Sequence, residues 1–406
     1  MLAGCERALA EVDLEAVRQN VRRLRRDLPP DGRLCAVVKA NGYGHGAVPV
    51  ARAALEAGAA WLGVATAGEV EELRAAGLTA PVLVFGPMTG TDLARAVAAD
   101  AEVVVWSERF LEAARRRKAR VHVKFNSGMG RLGAGEEKTR LLCAGAAGDG
   151  LLAGLMSHFA TADEEDTAFF REQLARYTAL AGELKALYPD LLCHTANSAA
   201  VLREPRSHFD MVRTGIAVYG LAPSNDDPFK DGLRPAMKLS SYVAAVRVVE
   251  PGESVGYGRR FIADEPARVA IVPIGYADGV RRALTNRGDV LVAGRRCRVT
   301  GTVSMDQLTV RLPADWGAPG DEVVFFGAAG DGGPLGLGAP NAAGGPAPRV
   351  DASDAPRILC EEVARLLETI NYEVACDVGA RVARRYRGVE PAPAADAGRA
   401  ASGALL

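Results

Sequence analysis

Residues 34–65 read LCAVVKANGYGHGAVPVARAALEAGAAWLGVA. Leu34–Val38 is a short apolar, β-branched run, a glycine-rich turn follows, Ala47–Gly58 has helical composition, and Trp61–Ala65 returns to an apolar run. Strand, helix and strand at this spacing make a right-handed crossover between parallel neighbours. The pattern recurs outward from this unit. Further runs are Val82–Phe85, Glu102–Val105, Val121–Phe125, Leu152–Met156, Leu191–His194 and Phe209–Val212. Between them lie stretches long enough for a covering helix, such as Glu69–Gly77, Asp92–Ala99, Glu108–Ala119 and Asp166–Leu187. Eight such units fit a closed (β/α)8 TIM barrel, with a doubly wound open sheet as the structural competitor.

Beyond Pro235 the texture changes. Lys238–Glu250, Arg268–Ile274, Asp289–Ala293, Cys297–Val303, Leu308–Leu312 and Glu322–Phe326 read as strands, with Pro251-Gly252 and Pro319-Gly320 as turns. The expected class is therefore α/β plus all-β. A barrel spans 1–236, a mainly β-strand domain spans 237–388, and a disordered tail occupies 389–406. Gly327–Pro348 reads as a surface loop and Asp351–Thr369 as helix.

Composition narrows the class of function. The 406 residues are 49% apolar and 24% charged, enough to bury a large core and incompatible with wholesale disorder. With a net charge of -1 there is no electrostatic reason to expect nucleic acid or an anionic membrane as partner. No uncharged apolar run is long enough to span a bilayer, and Glu6, Arg7 and Glu11 interrupt any signal-type apolar segment. The sequence Leu2-Ala3-Gly4-Cys5 mimics a lipoprotein box without the hydrophobic stretch that should precede it. The seven cysteines are scattered and include no CxxC pair, which predicts reduced thiols, a cytoplasmic location and no metal site.

In a parallel barrel, ligand-binding groups sit where the strands end. Those ends carry Lys39, Lys124, Asn126, Arg131, His158, His194, Asn197, Ser198, Arg213 and Gly215. Cations, imidazoles and small donors converging at one barrel mouth predict an anionic ligand, plausibly a phosphate. Lys39 follows Ala36-Val37-Val38, so burial of its stem favours a lowered pKa and Schiff-base chemistry.

The stretch Ala36–Gly46 resembles the pyridoxal-phosphate attachment signature of alanine racemases. The resemblance extends through 121–133, 156–163, 194–200, 210–220, 255–258, 275–279, 304–307 and 369–373, in family order over nearly the whole chain. It implies a racemase interconverting L- and D-alanine, supplying D-alanine for peptidoglycan, with pyridoxal 5'-phosphate as cofactor. It also implies a homodimer whose active sites each take residues from both subunits. By that resemblance Lys39 forms the Schiff base, and Tyr43, Ser198, Gly215, Ile216 and Tyr372 hold the phosphate, with Asn197 nearby. The resemblance also implies that Arg213 faces the pyridine nitrogen. A guanidinium can only donate, so that nitrogen stays unprotonated and the carbanion short-lived. Tyr257 of the other subunit is implied as the second base, tuned through His158 and Arg213. The same resemblance has Arg131 position the substrate carboxylate and the cofactor phenolic oxygen, the Met305 amide meet that carboxylate, and Tyr276 and Tyr372 narrow the entrance, while Lys124 aligns with a lysine often carbamylated in the family.

The sequence departs from the family pattern at Asn126-Ser127, Thr214 and Ser304, where Asp-Thr, proline and cysteine are usual. The first departure removes a local acid and bears on Lys124. The other two touch no reacting atom. Gly128-Met129-Gly130-Arg131-Leu132-Gly133 also satisfies the dinucleotide fingerprint, but it lies in the fifth unit and no acid ends a strand about 20 residues on. A non-catalytic carrier of the cofactor would lack the second domain. A decarboxylase, faintly echoed in Cys376-Asp377-Val378-Gly379, would set an acid rather than Arg213 against the ring nitrogen. Serine is the competing substrate, because an apolar pocket rejects an added hydroxyl only about 100-fold.

Overall fold

The computed structural model describes residues 6–330 and 355–388. The chain enters through β1 (Leu9–Asp13) into the helix Leu14–Arg25, which Asp13 caps by accepting the amides of Glu15 (2.9 Å) and Ala16 (3.1 Å). Its Leu14, Val17, Val21 and Leu24 recur at helical spacing and are all buried.

Eight parallel strands follow: β2 (Arg33–Val37), β3 (Trp61–Val64), β4 (Val82–Val84), β5 (Ala101–Val105), β6 (Val121–Lys124), β7 (Leu152–Met156), β8 (Leu192–His194) and β9 (Met211–Thr214). They pair in the order β8-β7-β6-β5-β4-β3-β2-β9, so chain neighbours are spatial neighbours and the last strand returns to the first. Amides of Asp210 and Arg213 donate to the carbonyls of Cys193 (3.0 Å) and Ala196 (2.9 Å), joining the two ends of the sheet. The result is the expected barrel, and the open sheet is excluded. Side chains alternate through each strand: Cys35, Trp61, Leu83, Val104 and Met211 cluster together, while Leu34, Ala36, Leu62 and Val103 pack in the larger core with the surrounding helices. Burial on both faces is why these strands read as continuous apolar runs. Thr66 and Thr89 begin two of the helices with capping boxes to Glu69 and Asp92.

The second domain is mainly strand, as expected. One sheet runs in the order β16 (Arg295–Arg298), β15 (Asp289–Val292), β18 (Glu322–Ala328), β10 (Met237–Tyr242), β1 and β20 (Ala383–Arg387), with β19 (Arg357–Ile358) against β18. A second sheet joins β11 (Ala245–Val249), β14 (Ala267–Val272) and β17 (Leu308–Leu312), and β12 (Ser254–Val255) pairs with β13 (Phe261–Ile262).

The structure departs from the sequence reading at several places. The run Lys238–Glu250 is two strands in two sheets. The Val243 amide turns to Asp321 (2.9 Å) and the Ala244 amide to Ile271 (2.8 Å), an exchange of partners that local β propensity does not encode. The eighth barrel strand lies two residues beyond its apolar run, so Arg213 sits within it. Where helix was expected over Asp351–Thr369, the described part holds β19 and then the shorter helix Cys360–Leu366. β1, unassigned in the sequence, pairs antiparallel with β10 and parallel with β20, tying the chain start to the second domain. The expected tail at 389–406 and most of the expected loop at 327–348 lie outside the described residues. No helix among the described residues is long and apolar enough to cross a membrane.

Candidate active site

Lys39 leaves β2 into a turn unlike any ordinary helix. Ala40, Asn41, Gly42 and Tyr43 all have positive φ, 52°, 52°, 59° and 50°. That is one turn of left-handed helix, which costs about 1–2 kcal/mol at each residue carrying a Cβ. The surroundings over-determine it. The Gly42 amide bonds Val38 O (2.9 Å), Asn41 Oδ1 accepts from Ala47 N (3.1 Å), and Glu69 accepts from Ala40 N (2.7 Å), Ala65 N (2.7 Å) and Thr66 N (3.0 Å). Glu69 was not singled out in the sequence, although the capping pattern Thr66-x-x-Glu69 made it visible. Strain held this firmly is characteristic of functional sites. Burial, then Arg131, lowers the Lys39 pKa, and Glu69 and Cys376 partly offset this.

Beside Lys39 lies a cradle of neutral donors. The Lys39 ammonium stands 6.0 Å from the centroid of the Tyr43 ring, which packs on Tyr219 (4.9 Å) and faces Tyr372 (6.1 Å). Tyr43 is buried, and burial raises its phenol. Ser198 Oγ accepts from the amides of Gly215 (3.0 Å) and Ala217 (3.4 Å). A Cβ built on Gly215 would fall 2.4 Å from the Tyr43 hydroxyl, so only glycine lets these groups converge. Ile216, next in the chain, is fully buried. Asn197 turns its side chain to the Ala200 amide (3.0 Å) and caps the helix Ser198–Arg203.

Arg213 is buried with no carboxylate bonded to it among the described residues. Its guanidinium donates to Ser157 O (2.7 Å), Thr195 O (3.2 Å), His158 Nδ1 (3.3 Å) and His194 Nδ1 (2.7 Å), and burial pushes it down to about 10. Burial, then Arg213, Lys124, Arg131 and Lys39 hold His158 well below its usual range, so it is neutral. Lys124 is 5% exposed and pushed down to about 8 by burial, Arg213 and Arg131. No salt bridge joins Lys39, Lys124, Arg131 or Arg213 to a carboxylate among the described residues. Four cations without a directly bonded carboxylate at one barrel mouth form a site for an anion.

The remaining expected residues lie elsewhere. Tyr257, Tyr276 and Met305 are all in the second domain and are 75%, 43% and 51% exposed. They share one surface: Thr302 Oγ1 donates to Tyr257 O (2.6 Å), the Tyr276 amide bonds Ser304 O (3.0 Å), and the Ala277 amide bonds Met305 O (3.1 Å). Buried Asp278 anchors the Tyr276 turn, accepting from Gly275 N (2.9 Å), Arg381 (2.7 Å) and Arg7 (2.9 Å). Within one chain nothing bonds the Tyr257 hydroxyl among the described residues.

Comparison with known proteins shows the family. The family model for the alanine racemase N-terminal domain matches residues 12–223, and that for the C-terminal domain matches 236–335. The chain belongs to the alanine racemase family. An alanine racemase from Symbiobacterium thermophilum is 41% identical across 95% of this chain and 99% of its own, and one from Mycolicibacterium smegmatis is 43% identical across 92% and 93%. The crystal structure of alanine racemase from D-cycloserine producing Streptomyces lavendulae superposes with a TM-score of 0.83 at 39% identity, covering 94% of this chain and 97% of that one. The alanine racemase of Bacillus anthracis, crystallised with bound L-Ala-P, gives 0.81 at 35% identity, covering 94% and 95%. Membership makes the chain an isomerase, an amino-acid racemase built on a barrel and a β domain.

Proposed function

We propose that the chain interconverts L- and D-alanine with pyridoxal 5'-phosphate held at Lys39, by a two-base mechanism, and that it works as a homodimer. The carrying observation is the pairing of a strained, partly desolvated Lys39 with the neutral cradle of Tyr43, Ser198 and Gly215. These residues fit the cofactor: hydroxyls and backbone amides bind a phosphate dianion, and the Gly215 notch leaves the approach open. Tyr372 and the Ile216 amide would complete the cradle. The cofactor, when bound, supplies the electron sink that makes an amino-acid α-proton removable.

The rest of the chemistry belongs to this chain's side chains. Arg213 is donor-only and would face the ring nitrogen as a hydrogen-bond donor, keeping that nitrogen unprotonated. Arg131 and the Met305 amide would hold the substrate carboxylate, with Tyr276 and Tyr372 limiting the side chain to a methyl group. Lys39 moves the proton on one face of the substrate α-carbon, and the partner subunit's Tyr257 on the other. His158 accepts from Arg213 through Nδ1, which would leave its Nε2 proton free to bond that phenol. The exposure of Tyr257 supports a dimer, because a base so placed serves a site only when another surface covers it. Lys124 near 8 is partly neutral at physiological pH, so its amine can add carbon dioxide, losing a proton to give a carbamate that would pair with Arg131. Free cysteines throughout the described residues fit a reducing cytoplasm, where the D-alanine product would supply peptidoglycan synthesis.

The test is reconstitution with the cofactor, borohydride reduction and peptide mapping, then turnover of L-alanine and L-serine side by side. A cofactor mass on Lys39 and a strong preference for alanine are expected. Reduction that labels another lysine, or no turnover of alanine, would overturn the reading.

A further inference from the structure

Among the described residues Arg213 has no directly bonded carboxylate, yet it connects to one through the barrel. Its Nη1 donates to His194 Nδ1 (2.7 Å), His194 Nε2 meets His122 Nδ1 (2.7 Å), and His122 Nε2 meets Glu102 Oε2 (2.7 Å). Arg120 pairs with the other carboxylate oxygen (2.8 Å). The four linked residues come from β9, β8, β6 and β5, and both histidines are fully buried.

The proton order follows from the donors. A guanidinium cannot accept, so His194 Nδ1 must. Neutral His194 then carries its proton on Nε2 and donates to His122 Nδ1, which leaves the His122 proton on Nε2, directed at Glu102. Every link has one donor and one acceptor, all pointing from the cation to the carboxylate. Burial, then Arg213 and His122, hold His194 well below its usual range, consistent with a neutral ring. Burial would lift the Glu102 carboxyl, but bonds from His122 and Arg120 outweigh it and keep it ionised. The packing makes room for this chain. A Cβ on Gly154 of β7 would fall 2.3 Å from His122 Nδ1, and Trp61 meets the imidazole edge-on at 5.8 Å.

We propose that Glu102 and His122 are positioning residues of the racemase reaction: through His194 they fix the orientation of the Arg213 guanidinium and give it a remote counter-charge. The proposal rests on the reading that Arg213 faces the cofactor ring. Linked hydrogen bonds polarise one another, so the carboxylate strengthens each acceptor along the line. His194 thus receives more of the Arg213 charge than an isolated imidazole would, and Arg213 donates less strongly towards the site.

The experiment compares wild type with Glu102→Gln, which keeps an acceptor for His122 and removes only the charge. Nitrogen-15 spectra of the histidines in the cofactor-free chain should show His122 and His194 protonated at Nε2. In the variant both resonances should move as their hydrogen bonds weaken. In the loaded enzyme kcat should fall about five- to tenfold, the factor separating a charge-assisted from a neutral hydrogen bond, with KM for alanine unchanged. The absorption maximum of the bound cofactor should shift with it. His122→Phe should leave the His194 proton on Nε2 but shift its resonance as the acceptor is lost, and if that variant does not fold, Glu102→Gln alone still decides. The proposal is overturned if His194 is protonated at Nδ1, if Glu102→Gln leaves the His194 resonances unmoved, or if they move while kcat stays at the wild-type value. The imidazole spectra need no cofactor. A chain that failed to bind pyridoxal phosphate would therefore refute the proposed activity, while the spectra would still show whether the relay exists.

Discussion

Replacing Lys124 by methionine should make the cofactor-free protein more stable at neutral pH. Lys124 sits at the end of β6, 5% exposed, unpaired among the described residues, and near the charges of Arg213 and Arg131. Its pKa falls from the ordinary 10.5 to about 8. At about 1.36 kcal/mol per pH unit, keeping the ammonium form in the fold costs about 3 kcal/mol. A base whose pKa is lower folded than unfolded binds its proton less tightly when folded. The penalty is therefore present in full below about pH 8, shrinks as the pH rises towards 10.5, and vanishes above it. Methionine keeps the length of the side chain without the charge, so Lys124→Met should gain about 2–3 kcal/mol at neutral pH after some loss to imperfect packing. Urea midpoints of both proteins, in carbon-dioxide-free buffer from about pH 6 to about pH 10, measure this. The gain should narrow steadily across the upper half of that range. Adding bicarbonate should stabilise the wild type and leave the variant unmoved, because only a lysine can form the carbamate. A variant less stable at neutral pH, or a difference that does not change with pH, would refute the reasoning.

Further outcomes follow from the same geometry. Tyr257→Phe should suppress α-proton exchange for one alanine enantiomer far more than for the other; equal, small losses in deuterium exchange would remove the second-base role. Mixing Lys39→Ala with Tyr257→Phe subunits should restore roughly a quarter of wild-type turnover, since half the dimers are mixed and each of those has one intact site; no recovery would place Tyr257 outside the partner's site. Gly215→Ala sets a methyl group 2.4 Å from the Tyr43 hydroxyl, a clash costing about 1–3 kcal/mol, so the cofactor Kd should rise about 10- to 100-fold by fluorescence titration. Asp278→Asn should raise KM for alanine more than it lowers kcat, because the buried carboxylate that anchors the Tyr276 turn loses its ion pairs with Arg7 and Arg381.

Much of the fold was legible because its signals are local. Each barrel strand is an apolar run of a few residues and each covering segment a helical stretch, so the unit at 34–65 announced the pattern that the other runs repeat. The errors fall where pairing is non-local. Lys238–Glu250 looks like one strand because both halves share β propensity, yet at its middle Val243 turns to Asp321 and Ala244 to Ile271, sending the two halves into different sheets. At the site, Lys39 was visible from the strand that precedes it and the glycines that follow. The left-handed turn at Ala40–Tyr43 was not, since it needs Glu69 from the next unit to bond its first amide.

The sequence by itself determined the order of elements, the barrel-plus-β architecture and the residue types at the strand ends, because periodicity and turn chemistry act over a few neighbours. Only the tertiary structure decided which of those residues meet. The barrel's closure puts Glu102, His122, His194 and Arg213 in one line, and β1 crosses to the second domain. Among the described residues, packing leaves Lys124 and Arg213 without a directly bonded carboxylate, while the second domain turns Tyr257 outward. Charge, tautomer and exposure are properties of surroundings that a chain acquires only when distant strands come together, and it is those surroundings that turn a list of polar residues into a site.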